Sequence, residues 1–566
     1  MTKIGWCGVV LALIYGVCHA VYLRWTSDDA FISFRYAENL MNGLGLVYNA
    51  GEWVEGYTNF LWTVLVAFGM SLGCDPITFT NVAGILCYAA TLLLLVRTAR
   101  GQDGSYGFPI AAVGFALHRH AAEFATSGLE TALFTFFATA AMVRLITANR
   151  LSHYALTGTL IALTCLTRSD GFVIGSVLVA VTAMIAHRQR SWQPLLLVLV
   201  PLVCLFLPYY GWRCAYYGYP FPNTYYAKSA SSPYFESGLW YVGSYFCYYF
   251  VLVPAPFVML GMIRSRFRQG QPGPLVLAAV TLMFLVYVCW VGGDFMFARF
   301  CIPVTPALFL GLQLGLEHCR FYLRCVLMAV VILCTFMSTL CVGWIPILGQ
   351  TDESDFYRAW RVEAFKKTGL TLHTALAGTD AKVAIGASQA MLGYYARLPV
   401  TIELNGLTDE YIAHRQIDVR GRVGHEKGLP LWDDYLNRRG VNFIFGLKVF
   451  VEFPDDRIGS LRNIEFLVRD VVIPEDGAFG FMGGRQDLWI KGTMITYEGK
   501  LMRQLRSENL RFTPFEQHLD DYIANRLQTR RIEEVREDYA AFKKFYFDRT
   551  EDAGRQEVFT RFLEGK

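Results

Sequence analysis

The chain has 566 residues, 54% of them hydrophobic, 15% aromatic and only 17% charged, a composition too apolar for a soluble enzyme of this size. A formal net charge of +4, with no run of five or more basic residues, excludes nucleic acid as an expected partner. The reading is a polytopic α-helical membrane protein.

All 14 cysteines lie at or before Cys341, mostly within apolar stretches, so they are expected to be small buried hydrophobes rather than a disulfide or metal framework. No C-x-x-C, H-E-x-x-H, Walker loop or G-x-S-x-G occurs. No cofactor and no metal site is therefore expected.

Roughly 20 apolar residues cross a bilayer core. The first such stretch, 4–23, follows Lys3 and ends in "VCHA", which also resembles a cleaved signal peptide. It is taken as a span because a polar motif follows at once and further apolar stretches come after it. The remaining spans are expected at 77–96, 106–119, 129–147, 151–167, 171–187, 194–213, 238–262, 275–292, 300–317 and 324–345, giving 11 crossings. The basic loops "RTARG" (97–101), "TANRLSH" (147–153), "HRQR" (187–190), "RSRFRQ" (264–269) and "EHCRFYLR" (317–324) then all fall on the cytoplasmic side, with the amino terminus. This parity holds only if the apolar stretch 57–73 does not cross. It reads as an interfacial or re-entrant helix inside one extracytoplasmic loop, 24–76.

A transmembrane domain of residues 1–347 is expected to give way to an extracytoplasmic soluble domain, 348–566. From Thr351 the chain is charged, mixed in sign and free of cysteine. Strand-like runs such as "AKVAIGA" and "VNFIFGL" alternate there with helical ones, which implies an α/β domain. The stretch "RIEEVREDYAAFKKFYFDR" should form a charged helix near the end.

The same parity gathers the unusual polar groups at one face. "SDDAFISFR" (27–35), "HRHAAEFATSGLE" (118–130), "RSDG" (168–171), "YPFPNTYYAKSA" (219–230) and "GGDFMFARF" (292–300) all lie at extracytoplasmic ends of spans. Ionisable groups beside a bilayer are costly and are functional suspects. Each also has a plainer reading. Ser27, Asp28 and Asp29 could cap an amphipathic helix. His118 and His120 could be interfacial, Glu123 and Glu130 could pair locally, Arg168 with Asp170 could be a structural ion pair, and Lys228 could snorkel. In the second half, "NGLTDEYIAH" and "GHEK", with His425, could be loop caps and surface charges.

Taken in order, "DDAFISFRYAENLMNGLGLVYNAGEWVEGYTNFLW", "EFATSGLETALF", "RSDGF", "FPNTYYAKSA" and "GGDFMFARFCIPVTPALFL" resemble the polytopic glycosyltransferases of the C superfold, and within it the terminal arabinofuranosyltransferase family of bacterial cell envelopes. The resemblance covers residues 25–310. It implies inverting sugar transfer from a polyprenyl-phosphate donor to an envelope glycan, lipid or protein, in the bacterial inner membrane. It also implies an acidic base in the first extracytoplasmic loop.

The residues can supply that chemistry unaided: a base for the acceptor hydroxyl, cations on the departing phosphate, and alignment. Asp29 or Asp28 is the candidate base. Arg168, Lys228 and Arg299 are the candidates for the phosphate. Arg35, Glu55, Glu123, Glu130, Asp170, Asn223, Asp294 and His425 are the candidate substrate contacts, and the prenyl chain would lie along 60–73. Two other classes compete. A transporter or flippase would use membrane acids and arginines as a path, but the charges cluster at one face rather than the midplane. A membrane-anchored scaffold would bind envelope polymer through its soluble domain.

Overall fold

The structure, a computed structural model, describes residues 3–99 and 107–340, most of 350–445 and most of 519–565. Its described residues divide into two compact units that interleave along the chain. One comprises 1–42, 55–357 and 416–426, and the other comprises 43–54, 358–415 and 427–566.

The first unit is a bundle of apolar helices. Among the described residues six of them, Pro76–Thr98, Gly171–Gln189, Gln193–Tyr217, Phe250–Arg268, Gly273–Val291 and Phe321–Thr339, are long and apolar enough to cross a membrane. Five shorter apolar helices accompany them: Cys7–Tyr22, Phe60–Ser71, Thr131–Ile146, Leu151–Thr167 and Ile302–Glu317. In chain order, α1 runs through Lys3–Val10, a π turn Leu11–Tyr15 and Gly16–Tyr22. It is followed by α2 (Ala30–Met41), α3 (Phe60–Ser71), α4 (Pro76–Thr98), α5 (Ile110–Leu117), α6 (Arg119–Glu123) and α7 (Thr131–Ile146). Next come α8 (Leu151–Thr167), α9 (Gly171–Gln189), α10 (Gln193–Tyr217) and α11 (Asn223–Ala227). Then follow α12 (Phe235–Tyr248), α13 (Pro254–Arg268), α14 (Gly273–Val291), α15 (Thr305–Glu317) and α16 (Phe321–Leu340).

Two expected spans differ from what the chain does. The stretch 106–119 folds as the eight-residue α5, about 12 Å long, which stops at His118 in an extended conformation before α6 begins. Every residue of α5 and α6 is buried, so the break is shielded by protein, the setting in which broken helices are tolerated at membrane depth. The stretch 238–262 is two helices, because the chain leaves α12 at Tyr249 (φ −106°, ψ 50°) and resumes through a 3-10 turn, Phe250–Leu252, that leads into α13. Pro254 suits the first turn of α13, where an N–H would have no intrahelical partner. Hydropathy alone cannot see either break.

The stretch 57–73 forms only the 12-residue α3, about 18 Å, shorter than a bilayer core. The basic loop 97–101 is described as far as Ala99, and its last two residues lie outside the described ones.

Close helix contacts are built on small residues. A Cβ on Gly158 of α8 would stand 2.1 Å from the Val198 carbonyl oxygen of α10, and one on Gly84 of α4 would stand 2.0 Å from that of Ala125. Glycine lets these backbones touch, which drives helix association where lipid offers no hydrophobic incentive.

The second unit contains a parallel three-stranded sheet in the order β2–β1–β3, made of β1 (Lys382–Ile385), β2 (Val400–Glu403) and β3 (Phe443–Phe445). Helix Gln389–Ala396 forms the crossover from β1 to β2, so the alternation read from sequence is an α/β arrangement. Of the expected strand at 441–447, only 443–445 lies among the described residues. Asn49 closes the β2 edge by accepting from Thr401 N at 2.9 Å and donating to Thr401 O at 3.0 Å. Asp409 caps helix Glu410–His414 through Ile412 N and accepts from the Tyr435 hydroxyl at 2.7 Å. Helix Ile532–Phe545 occupies the charged stretch near the end.

Candidate active site

The first unit carries a cluster of ionised side chains at the junction of several helix ends. Its centre is Glu130, in the turn that leads into α7. That turn is tight. Gly128 has φ 81°, and a Cβ there would meet the Ala30 Cβ at 2.8 Å. Ser127 O accepts from Ser27 N at 2.8 Å, and Gly128 O accepts from Trp62 Nε1 at 2.9 Å. The start of α2, which bears Asp28 and Asp29, is thereby pinned beside Glu130.

Glu130 Oε1 takes Arg168 Nη1 at 2.8 Å and Arg299 Nη2 at 3.3 Å, while Oε2 accepts from Asn59 Nδ2 at 2.9 Å. Burial works against its charge, yet Arg299 and Arg168 hold the carboxyl down at about 2. Arg168 turns the rest of its fork to Asp170, with Nη2 2.7 Å from Oδ2, and its guanidinium lies over the rings of Phe134 and Phe300. Each of its three nitrogens donates to the Glu130 or the Asp170 carboxylate.

Arg299 stands differently. It follows a turn with Gly292 and Gly293 at positive φ and Ala298 at φ 61°, a conformation that costs a residue with a Cβ and persists where its surroundings enforce it. Nη1 lies 3.4 Å from Asp294 Oδ2 and 3.9 Å from Asp29 Oδ2, and the buried Nε has no hydrogen-bond partner among the described residues.

Asp29 occupies the N-cap position of α2 but makes no side-chain cap hydrogen bond. Its carboxylate is half-buried, whereas Asp28 is buried. Burial raises the Asp29 pKa against the pull of Arg299 and Lys228, with Asp294 and Glu130 adding to the rise. Lys228, just after α11, is half-buried beside this group and has no ion pair among the described residues.

The remaining expected contacts fall elsewhere in the unit. Arg35 is buried on α2. Glu55 pairs with Arg213, Oε1 to Nε at 3.0 Å and Oε2 to Nη2 at 2.7 Å, and its backbone oxygen accepts from Asn223 N at 3.0 Å. Burial pushes the Glu55 carboxyl up to about 7 despite Arg213. Glu123 belongs to a third group, in which Arg119 bridges Glu123 Oε2 at 3.3 Å and Asp352 Oδ2 at 3.4 Å. His120, Glu123 and Asp352 offer ligand atoms within 4.8 Å of one another and could hold a cation by type, but Arg119 already supplies a positive charge to both carboxylates. His118 stacks on the Tyr249 ring at 3.8 Å, and His120 Nδ1 meets the Tyr249 hydroxyl at 2.6 Å. His425 meets the ring of Phe295 edge-on at 4.9 Å.

Sequence reading missed Arg119, Arg213, Asp352, Glu353, Arg420 and Arg422. The acid-rich "TDESDF" directly after the final span was a usable signal, since parity puts it at the same end as the other clusters. Thr351 N donates to Phe295 O at 2.8 Å and Phe297 N to Thr351 O at 3.1 Å, which straps this segment to the Arg299 turn. Arg420 donates to the carbonyls of Lys228, Ser229 and Ser232 and so holds the Lys228 turn.

These helix ends, with a short first-loop helix and a polar cluster at one junction, form a polytopic helical fold similar to that of ArnT. Crystal structures of ArnT from Cupriavidus metallidurans match it with a TM-score of 0.51 at 13% identity. The structure bound to undecaprenyl phosphate covers 71% of this chain and 86% of that one, and the apo state covers 79% and 94%. No family model matches the chain. It is 28% identical over 317 residues to the terminal beta-(1->2)-arabinofuranosyltransferase of Mycobacterium tuberculosis, covering 49% of this chain and 50% of that protein. It is 27% identical over 317 residues to the enzyme of the same name from Corynebacterium glutamicum, covering 49% and 46%. The chain thus spans about half the length of the curated relatives it matches.

Proposed function

We propose that the protein is an inverting glycosyltransferase. It moves a sugar, arabinofuranose by its likeness to the relatives, from a polyprenyl-phosphate donor to an envelope glycan, lipid or protein. Asp29 is the base that takes the acceptor hydroxyl proton, and Asp28 orients it. Lys228 and Arg299 face the donor phosphate. The likeness to a structure bound to undecaprenyl phosphate supports a lipid donor of this kind. Arg168, paired with Glu130 and Asp170, positions Glu130 and through it Arg299, and keeps two N–H groups that can reach the donor phosphate.

The observation that carries this reading is a half-buried carboxylate at a helix start with no side-chain cap bond, 3.9 Å from Arg299 and within the field of Lys228, an ammonium with no ion pair among the described residues. Inversion needs one carboxylate base on the face opposite the leaving group, and the phosphate leaves without an acid if cations take its charge. Burial of Asp29 raises its basicity toward that task.

In this reading the protein crosses the bacterial inner membrane 11 times with its amino terminus cytoplasmic, and the site and the 348–566 domain lie outside. The test is to incubate membranes with labelled polyprenyl-phosphate-arabinose and an acceptor glycan. Labelled glycan supports transfer, whereas intact donor relocated across the bilayer would make the protein a flippase.

A further inference from the structure

Residues 416–426 come from the charged second half of the sequence yet belong to the first compact unit. Their docking point is the turn that ends α11. Ser229 in that turn takes a left-handed conformation, φ 47°, which a residue with a Cβ keeps only where its surroundings enforce it. Arg420 supplies that enforcement. Its Nη2 lies 3.3 Å from Lys228 O, and its Nη1 lies 3.2 Å from Ser229 O and 2.9 Å from Ser232 O. Nε donates to the buried carboxylate of Glu426 at 2.7 Å, and the guanidinium lies over the Tyr234 ring at 4.7 Å. One fork thus holds three carbonyls, a carboxylate and a ring face, with all three nitrogens in use.

The same segment meets the Lys228 side chain. Gly424 has φ 83°, and a Cβ there would stand 3.7 Å from Lys228 Cε. The end of the lysine stem therefore lies against the backbone at Gly424. Lys228 has no ion pair among the described residues, so no carboxylate fixes its direction. Its four-carbon stem is flexible, and the aim of the ammonium depends on what holds the backbone and what the stem packs against. Residues 416–426 supply both.

We infer that residues 416–426 are part of the donor site and that Arg420 is a positioning residue, which aims Lys228 by locking the turn from which that side chain projects. This rests on the reading of Lys228 as a contact of the donor phosphate. The Arg420 nitrogens are all occupied, so it acts through the lysine. Ordering a long side chain before the ligand arrives removes that cost from binding, and the role of Arg420 is felt in donor affinity rather than in the transfer step.

The test uses the purified full chain as wild type, Arg420→Ala, Arg420→Lys, Lys228→Ala and the Arg420→Ala/Lys228→Ala double variant. It measures affinity for polyprenyl phosphate, KM and kcat for the donor with an acceptor glycan, and melting curves. Arg420→Ala should weaken polyprenyl phosphate binding and raise the donor KM about fivefold, the cost of ordering one long side chain, with kcat within about twofold. Arg420→Lys keeps the charge but cannot span three carbonyls, so it should fall between Ala and wild type. The double variant should bind no more weakly than Lys228→Ala alone, because the arginine acts only through the lysine. If Arg420→Ala does not melt cooperatively, Arg420→Lys takes its place in the cycle. Wild-type affinity in a folded Arg420 variant would overturn the proposal. So would a double variant whose loss is the product of the two single losses, since the two cations would then act independently. Binding is read without turnover, so a wild type that binds polyprenyl phosphate but forms no glycan would overturn the transfer reading, while the binding cycle still decides this one. A wild type that binds no polyprenyl phosphate would overturn both.

Discussion

Asp29 sits where a helix cap belongs and leaves the α2 N–H groups alone, which separates its two explanations cleanly. Replacing it with Asn removes charge but not size, and with no cap bond to lose, stability should change by less than about 1 kcal/mol. As the base, Asp29→Asn should lose transfer by orders of magnitude while melting and donor binding hold, because an amide cannot accept the hydroxyl proton. Asp28→Asn should lose much less. Full turnover in both variants would falsify the catalytic assignment. Arg299 offers a second residue-scale test. Arg299→Ala should weaken donor use more than Arg299→Lys, since Lys keeps the charge and loses only the fork; equal wild-type rates for both, measured as kcat/KM for the donor, would remove Arg299 from the site. Most of these groups were legible in the sequence because charge beside a membrane is expensive and needs a reason. Glu130, Arg168, Asp170, Asp294 and Arg299 do converge. Arg213 was hidden at the end of an apolar run, and Glu353 was hidden by a boundary drawn from composition, which cannot show a strap returning to the bundle.

Helix ends place these residues, and the helices are set by contacts that periodicity does not report. Hydropathy located nearly every apolar helix to within a few residues, because lipid demands an unbroken apolar surface over a known length. It failed at α5 and at the α12–α13 junction, where protein rather than lipid surrounds the chain or a 3-10 turn leads into a new helix. Glycine contacts such as Gly158 against Val198 were equally invisible, since a close approach needs both partners in space. Gly158→Val should therefore force α8 from α10. The displaced backbone makes relief by a side-chain shift unavailable, so an overpacking cost of about 1–3 kcal/mol or more is expected. A lowered melting temperature in detergent, with loss of transfer following it, is the check. Unchanged melting would mean that α10 yields at Pro201 or Pro208, both inside the helix.

At the scale of the whole molecule, the assignment of sides depends on two short segments: α3 not crossing, and the broken α5–α6 segment crossing. The five basic loops lie on the side of the amino terminus only if α3 does not cross, and its 12 residues are too few to reach across a bilayer core unaided. If α3 returns to the surface it entered, the loop at 187–190 is cytoplasmic and residues near Asp409 are extracytoplasmic. Single cysteines introduced at Gln189 and at Glu410, both on helices the structure describes, should then differ toward a membrane-impermeant thiol reagent applied to intact cells, with the native cysteines replaced. The one at 410 should label at once and the one at 189 only after lysis. Equal labelling at both would mean an even number of crossings between the two positions. That result would put the Asp29 cluster and the soluble residues on opposite sides, and an extracytoplasmic transfer site could not then be read from the basic loops.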